Sequence, residues 1–146
     1  MFLTSMLLFA FSAAALADDQ YFAYGSGTAD DPFLLSTPDD LMSMAAALDP
    51  SKDSYLTPEL REEFMSYAAA YYKLTDNINM SGYGWQPLMT PGNKPFSGDF
   101  NGNNKVISNL TNIPDNAGYN VGFFGIVSGK VYDLTLENLN FFGTSF

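Results

Sequence analysis

Three aspartates in the Gly- and Asn-rich second half of the chain, Asp76, Asp99 and Asp133, are the side chains whose type suits acid–base chemistry. Cleavage of a glycosidic bond by such groups needs two carboxylates held several ångströms apart across it. None of the three has an Arg or Lys beside it that is placed to stabilise developing charge, and the one Arg, Arg61, falls in a helical segment. The expectation is that these carboxylates support turns and strand corners, so no catalytic residue is assigned. The sequence contains no His and no Cys. That excludes Ser-His-Asp and Cys-His relays, thiolate nucleophiles, zinc sites of the usual N/S kind and disulfides.

Metal binding is then left to oxygen ligands. Asp99-Phe100-Asn101-Gly102-Asn103 has acidic and amide groups at alternate positions, but an EF-hand needs Gly at its sixth position and Glu at its twelfth, where this run has Asn104 and Leu110. A looser calcium site of carbonyls and carboxylates around Asp30-Asp31 is the one metal alternative kept open; otherwise no cofactor is expected. Aromatic residues are abundant, and Tyr21, Tyr24, Tyr71, Tyr72, Tyr83, Trp85 and Tyr119 are candidates either for a sugar-stacking platform or for packing. Among these, Trp85, Tyr83 and Tyr119 are the chosen binding candidates, with Trp85 beside Gly84 expected to be the most exposed. With 16 acidic and 6 basic residues the net charge is −10. Nucleic acid, whose binding requires neutralising phosphates, is excluded as a partner.

Residues 1–17 carry no charged side chain and end in Ala15-Leu16-Ala17 before Asp18-Asp19. This has the pattern of a secretory signal peptide cleaved after Ala17, shorter than the roughly 20 apolar residues that cross a bilayer. The usual basic start is missing. A secreted or cell-surface protein is expected, with the remainder long enough for one domain. Asn79-Met80-Ser81 and Asn109-Leu110-Thr111 fit the glycosylation sequon, which matters only in a glycosylating host.

The elements that must position these groups follow from local chemistry. Tyr21 to Tyr24 and Phe33 to Leu35 read as short strands around Gly25-Ser26-Gly27-Thr28. Thr37-Pro38-Asp39-Asp40 opens a helix, since Thr37 caps, Pro38 needs no N–H partner and both Asp favour the positive end of the dipole. Leu41, Met44, Ala45 and Leu48 form its apolar stripe. Asp49-Pro50-Ser51 ends it, and Thr57-Pro58-Glu59 starts a second helix with Leu60, Phe64, Tyr67, Ala68 and Tyr71 on one face. Arg61, Glu62 and Glu63 lie off that face as solvated surface. Beyond Tyr72 short β runs alternate with Gly and Asn. Leu74, Ile78 and Met80 are their apolar side; Gly82, Gly84, Pro87, Pro91 and Gly92 mark turns, and Asn101-Gly102 carries a strong turn signal.

Val131-Tyr132-Asp133-Leu134-Thr135 repeats the pattern of Ile107-Ser108-Asn109-Leu110-Thr111, with Val131 at the place of Ile107 and Leu134 at the place of Leu110. A period of this size signals a solenoid, in which each coil buries its apolar face only against its neighbours; a β-sandwich is the competing arrangement. Asn and Gly recur because tight corners need left-handed backbone. At these residues the chain resembles the GLUG-motif secreted bacterial proteins. Phe96, Gly98, Phe100 and Gly102, followed by Ile107 and Leu110, are similar to the F-x-G-x-F-[DN]-G…I-x-N-L opening of that family. Gly122-Phe123-Phe124-Gly125 stands where its G-L-hydrophobic-G signature falls, with Phe123 in place of the usual Leu. Gly25 to Phe33, Asp39-Asp40-Leu41 and Tyr72 to Ile78 resemble the cap-like segment before such repeats.

The resemblance implies a mostly β protein, the start of a right-handed parallel β-helix of pectin-lyase-like type with an inserted two-helix cap. Residues 18–95 would form the capping segment with the first strands and residues 96–146 the first coils, with Val131 and Leu134 on their inner ladder. Only one signature is present and no polar terminal cap follows, so the chain is expected to continue into further coils of a longer protein, and its last strand to be an open apolar edge. The function expected is non-catalytic and adhesin-like, binding or displaying a cell-surface glycan or protein. The alternative is the non-catalytic N-terminal part of a carbohydrate-active enzyme or peptidase whose active site lies downstream.

Overall fold

Residues 21–49, 58–89, 95–112 and 121–141 are described by the structure, a computed structural model of the chain. The leader 1–17, the Pro50-Ser51 break, the Thr57 cap, the Pro91-Gly92 turn and Tyr119 lie outside them. The described chain is mostly β with two helices. In order these are β1 (Phe33–Leu35), α1 (Pro38–Ala47), α2 (Pro58–Ala68), β2 (Tyr71–Leu74), β3 (Ile78–Asn79), β4 (Gly84–Trp85), β5 (Asp99–Ser108), β6 (Thr111–Asn112) and β7 (Lys130–Glu137).

Helix α1 starts as its sequence dictates. Thr37 is extended at φ −128°, its hydroxyl accepts from the Asp40 N–H at 3.2 Å, and the Asp40 carboxylate accepts from the Thr37 N–H at 2.8 Å, a reciprocal capping box. Asp40 also accepts from the Ser36 N–H at 2.8 Å and from the Ser36 hydroxyl at 3.0 Å. Partial burial works to raise its pKa, but the hydrogen bonds from Ser36 and Thr37 together outweigh this and hold it below the ordinary 3.8. A carboxyl lowered in this way favours folding above its unfolded pKa, and the contribution is lost as pH falls through the folded value. Asp40→Asn is therefore expected to lower stability by about 1 kcal/mol at neutral pH. Thermal midpoints read by circular dichroism should converge for the two proteins as pH drops below 3.8.

Leu41, Met44 and Leu48 are fully buried, joined by Ala47, while Ala45 is only half-buried. On α2, Phe64, Tyr67 and Ala68 face the core. Tyr71 is not on that face. The helix ends at Ala68, Tyr71 begins β2 with 40% of its surface exposed, and Tyr72 takes the inward position, its hydroxyl donating to the Tyr67 carbonyl at 2.8 Å. The expected strand at Tyr21 to Tyr24 is also absent. A turn pinned by Ser26 N–H to Asp31 O (3.0 Å) and Asp31 N–H to Thr28 O (3.3 Å) folds this segment back, and Phe22 stacks on Phe33 with centroids 4.2 Å apart.

Every strand pair is parallel. One sheet runs β1-β2-β5-β3 with β7 also on β5, and β4 pairs β6 in a second. The bridges Leu88–Phe124, Phe96–Val127 and Thr111–Asn140 are parallel as well. Phe33, Tyr72, Phe100 and Val131 occupy one register row, and Ile78, Ile107 and Leu136 another. The pairing corrects the alignment read from the sequence: Val131 lies beside Phe100, not Ile107, and Leu134 lies beside Lys105, not Leu110. The chain length between partners is greater at Phe100–Val131 than at Ile107–Leu136. The difference is absorbed between Asn101 and Lys105, where Asn103 and Asn104 have φ of 50° and 56°.

That bulge also corrects the turn expected at Asn101-Gly102, which instead lies within β5. Gly102 is required there because a Cβ would strike the Asp133 carbonyl of β7. The Asn101 side chain accepts from the Asn103 N–H at 2.7 Å, and the Asn103 amide donates to the Leu74 carbonyl at 3.0 Å, tying the bulge to β2. Left-handed backbone at Asn109 and Asn138, and at Asp133, fits the expectation for Asn-rich corners. The sequon amides of Asn79 and Asn109 are linked, Asn109 donating to Asn79 at 2.9 Å. One continuous apolar cluster lies beneath the strands and both helices.

Candidate functional site

Successive residues of a strand point to opposite faces, so the inward row Tyr72, Phe100, Val131 sets what faces out. Tyr71, Asp99 and Lys130 form one outward row, and Lys73, Asn101 and Tyr132 the next. β2, β5 and β7 thus carry a patch in which two half-exposed phenol rings, Tyr71 and Tyr132, flank a carboxylate, an amide and two ammonium groups. The Tyr132 hydroxyl is hydrogen-bonded to Asp99. This raises its pKa above the usual 10.0, chiefly because ionisation would surrender the bond; burial and the charge of Asp99 add to it, as do Asp133 and Tyr71.

Such a face can hold a ligand with an apolar side and hydroxyl groups. Rings supply flat apolar area, while Asp99, Asn101 and the lysines accept and donate hydrogen bonds. It is not arranged to cleave one. The register neighbours of Asp99 are Tyr71 and Lys130, which corrects the expectation that no Lys stands beside it, but no second carboxylate lies opposite. Asp133 sits at a left-handed kink, and Asp76 accepts from the Thr75 hydroxyl at 3.0 Å. Among the described residues no group of three or more acidic side chains is gathered as metal ligands. Asp31 at the kept-open calcium position is engaged through its backbone in the Ser26–Thr28 turn.

Of the sequence-chosen binding residues, Tyr119 lies outside the described residues, and Trp85 and Tyr83 are each engaged within the fold. Trp85 is fully buried: its ring lies parallel to Phe123 at 4.8 Å and 1°, and its Nε1–H donates to the Phe123 carbonyl at 3.2 Å. It is a packing residue, because the indole fills the space between β4 and the 121–125 segment. Tyr83 is half-buried, and its hydroxyl donates to Asp39 on α1 at 3.1 Å, which raises its pKa. The motif residues Phe96, Phe100, Ile107 and Leu110 are fully buried; Phe123 is buried and Phe124 packs edge-on to Phe100 at 5.7 Å. Gly125 donates its N–H to the Leu88 carbonyl at 2.7 Å. Of the inner ladder, Val131 is 38% exposed and Leu134 half-buried.

Tyr132 was missed by sequence reading. The signal that finds it is Ser128-Gly129-Lys130-Val131-Tyr132, which repeats Ser97-Gly98-Asp99-Phe100-Asn101 on the neighbouring parallel strand and sets Tyr132 outward beside Asn101.

No family model matches the sequence. The chain is 31% identical over 131 residues to halomucin of Haloquadratum walsbyi, a match that takes in 83% of this chain and 1% of that protein. It superposes with a TM-score of 0.62 and 24% identity on a Bacteroides ovatus chain described as a candidate immunoglobulin A1 protease, covering 83% of this chain and 30% of that one. The chain therefore spans about 1% and 30% of the lengths of these two proteins, and at 24% identity the second likeness bears on the fold alone.

Proposed function

We propose that this chain is a non-catalytic module of an exported or cell-surface protein, built as the first coils of a GLUG-type right-handed parallel β-helix capped by α1 and α2. Uniform parallel pairing from β2 through β7, with like residues stacked on like, supports the winding. The uncharged leader supports export. The role is adhesin-like: the outer face of β2, β5 and β7 binds a glycan, Tyr71 and Tyr132 stacking on it while Asp99 and Asn101 meet its hydroxyls. The observation that carries this reading is the pair of exposed tyrosines, Tyr71 and Tyr132, on the outward side of three parallel strands whose inward row is Tyr72, Phe100 and Val131.

The test is affinity electrophoresis through gels carrying neutral or amino-sugar polysaccharides. Tyr71→Ala with Tyr132→Ala should weaken retention about tenfold, two ring contacts being removed, with little change in thermal midpoint. Retention unchanged by both substitutions would count against the glycan face. A second reading is favoured by the length relation to the Bacteroides ovatus chain: the module is the non-catalytic N-terminal part of a larger enzyme with its active site downstream.

A further inference from the structure

The two glycosylation sequons lie side by side on neighbouring parallel segments, yet the fold sets their amides differently. Asn79 ends β3 in register with Ser108, so Asn109 is the next residue of the adjacent segment. The middle residues, Met80 and Leu110, are both fully buried. What separates the sequons is the amide and the chain that follows it. The Asn79 carboxamide is oriented by a group that can only donate: the Ser81 N–H lies 3.0 Å from it, so the atom facing that N–H is oxygen. The same oxygen is 2.9 Å from the Asn109 carboxamide, which must then present its nitrogen. Asn79 is exposed, and among the described residues its Nδ2 has no hydrogen-bond partner. Asn109 is half-buried and spends its Nδ2 on Asn79.

The backbone differs in the same sense. Ser81 and Gly82 are exposed in a turn closed by Tyr83 N–H to Met80 O at 3.0 Å, and a Cβ on Gly82 would meet nothing within 4 Å. Among the described residues β3 pairs with β5 alone. Asn109-Leu110-Thr111 is instead held from both sides. Asn109 donates its N–H to Glu137 O at 3.0 Å, Leu110 O accepts from Asn140 N–H at 2.8 Å, and Thr111 pairs with Gly84.

We propose that the folded chain accepts an N-linked glycan at Asn79 and refuses one at Asn109. The donor is an oligosaccharide carried on a lipid diphosphate, and the catalyst is a transferase of the host. A bond forms between Asn79 Nδ2 and the anomeric carbon of the first sugar, the bond from that carbon to the phosphate oxygen breaks, the lipid diphosphate leaves and one Nδ2 proton passes to the transferase. Both hydrogen bonds of the Asn79 side chain are made by its oxygen, so they survive substitution on the nitrogen. The same transfer at Asn109 would put a sugar on a nitrogen 2.9 Å from Asn79 Oδ1 and would require residues 109–111 to leave their pairing on both sides, an opening that costs a folded chain free energy. This covalent glycan is separate from the ligand of the β2, β5 and β7 face.

The test is transfer in vitro to the purified, folded chain, using an oligosaccharyltransferase that accepts Asn-x-Ser/Thr and a lipid-diphosphate oligosaccharide, with the modified peptides read by mass spectrometry. Synthetic peptides of residues 76–83 and 106–113 serve as unfolded references. Both peptides should be modified. In the folded chain Asn79 should be modified at about ten times the rate of Asn109 or more, each rate taken relative to its own peptide. Asn79→Gln and Ser81→Ala should each abolish the main product, the second by removing the sequon hydroxyl while leaving the Asn79 amide in place, and unchanged thermal midpoints establish that both variants fold. A folded chain that takes no glycan while its 76–83 peptide does, equal or faster transfer to Asn109, a 76–83 peptide that is not a substrate, or undiminished product from Ser81→Ala would each overturn the proposal.

Discussion

Trp85→Ala is expected to cost about 3–5 kcal/mol of folding free energy, the range for removing a fully buried large aromatic. The site cannot collapse to fill the hole. On one side the indole lies flat on Phe123 at 4.8 Å, and Phe123 is itself held edge-on by Phe100 at 5.6 Å and Phe124 at 4.9 Å. The 121–125 segment is in turn pinned to the strands by Leu88 N–H to Phe123 O at 3.0 Å and Gly125 N–H to Leu88 O at 2.7 Å. Loss of the indole removes both the ring contact and the Nε1–H bond to Phe123 O. For a domain whose total stability is of order 5–15 kcal/mol, this takes about a fifth or more of the margin. The urea midpoint, followed by far-ultraviolet circular dichroism because the variant lacks the only Trp, should fall steeply. Trp85→Phe keeps the stack and should recover part of the loss. A Trp85→Ala protein with an unchanged midpoint would show that the indole does not support the fold.

How much of this was legible depended on how local the cause was. Thr37, Pro38 and Asp40 define a helix start within a single turn, and the structure has that box in full. Leu74, Ile78 and Met80 alternate with polar neighbours, and all three are buried. Strand register is non-local, and here it resisted reading for a specific reason. Ser97-Gly98 repeats at Ser128-Gly129, while Ile107-Ser108-Asn109-Leu110 repeats as Leu136-Glu137-Asn138-Leu139 at a shorter displacement. The Asn103–Asn104 bulge separates the two, so no single period aligns both halves of β5 with β7. The match of Val131 to Ile107, between the start of one strand and the end of the other, was the most conspicuous similarity and the wrong one.

The candidate site inherited that error. With Val131 set beside Ile107, Tyr132 has no defined face; beside Phe100 it must point outward next to Asn101 and Asp99. Trp85 misled for another reason. A Trp next to Gly84 in a turn-rich stretch has the composition of an exposed contact, but burial there is decided by Phe123, far along the chain.

Gly98→Val is expected to be among the most damaging of the glycine substitutions, at about 3 kcal/mol or more. Its backbone does not have a left-handed φ, so conformational freedom is not what the position needs. The need is space. A Cβ on Gly98 would strike the Ala70 carbonyl oxygen of the neighbouring chain segment, and one on Gly129 would strike the Gly98 carbonyl in the same way. Neither strand can retreat without loss, because the two N–H groups of Ser97 and Gly98 both donate to Ala68 O at 2.9 Å, Asp99 N–H to Ala70 O at 3.1 Å, and Lys130 N–H to Gly98 O at 2.9 Å. Moving Gly98 away from Ala70 therefore breaks the ladder on one side and compresses it on the other. Gly122 is milder, since a Cβ there meets one backbone atom, Phe124 O, at 2.9 Å. Gly82 has φ +88° with nothing within 4 Å, so Gly82→Ala should cost only the left-handed strain of about 1–2 kcal/mol. Thermal midpoints of Gly98→Val, Gly129→Val, Gly122→Val and Gly82→Ala should then show the first two falling furthest. If Gly98→Val melted no lower than Gly82→Ala, the close parallel approach of the segments at Ala70, Gly98 and Gly129 could not be what holds this edge of the sheet together.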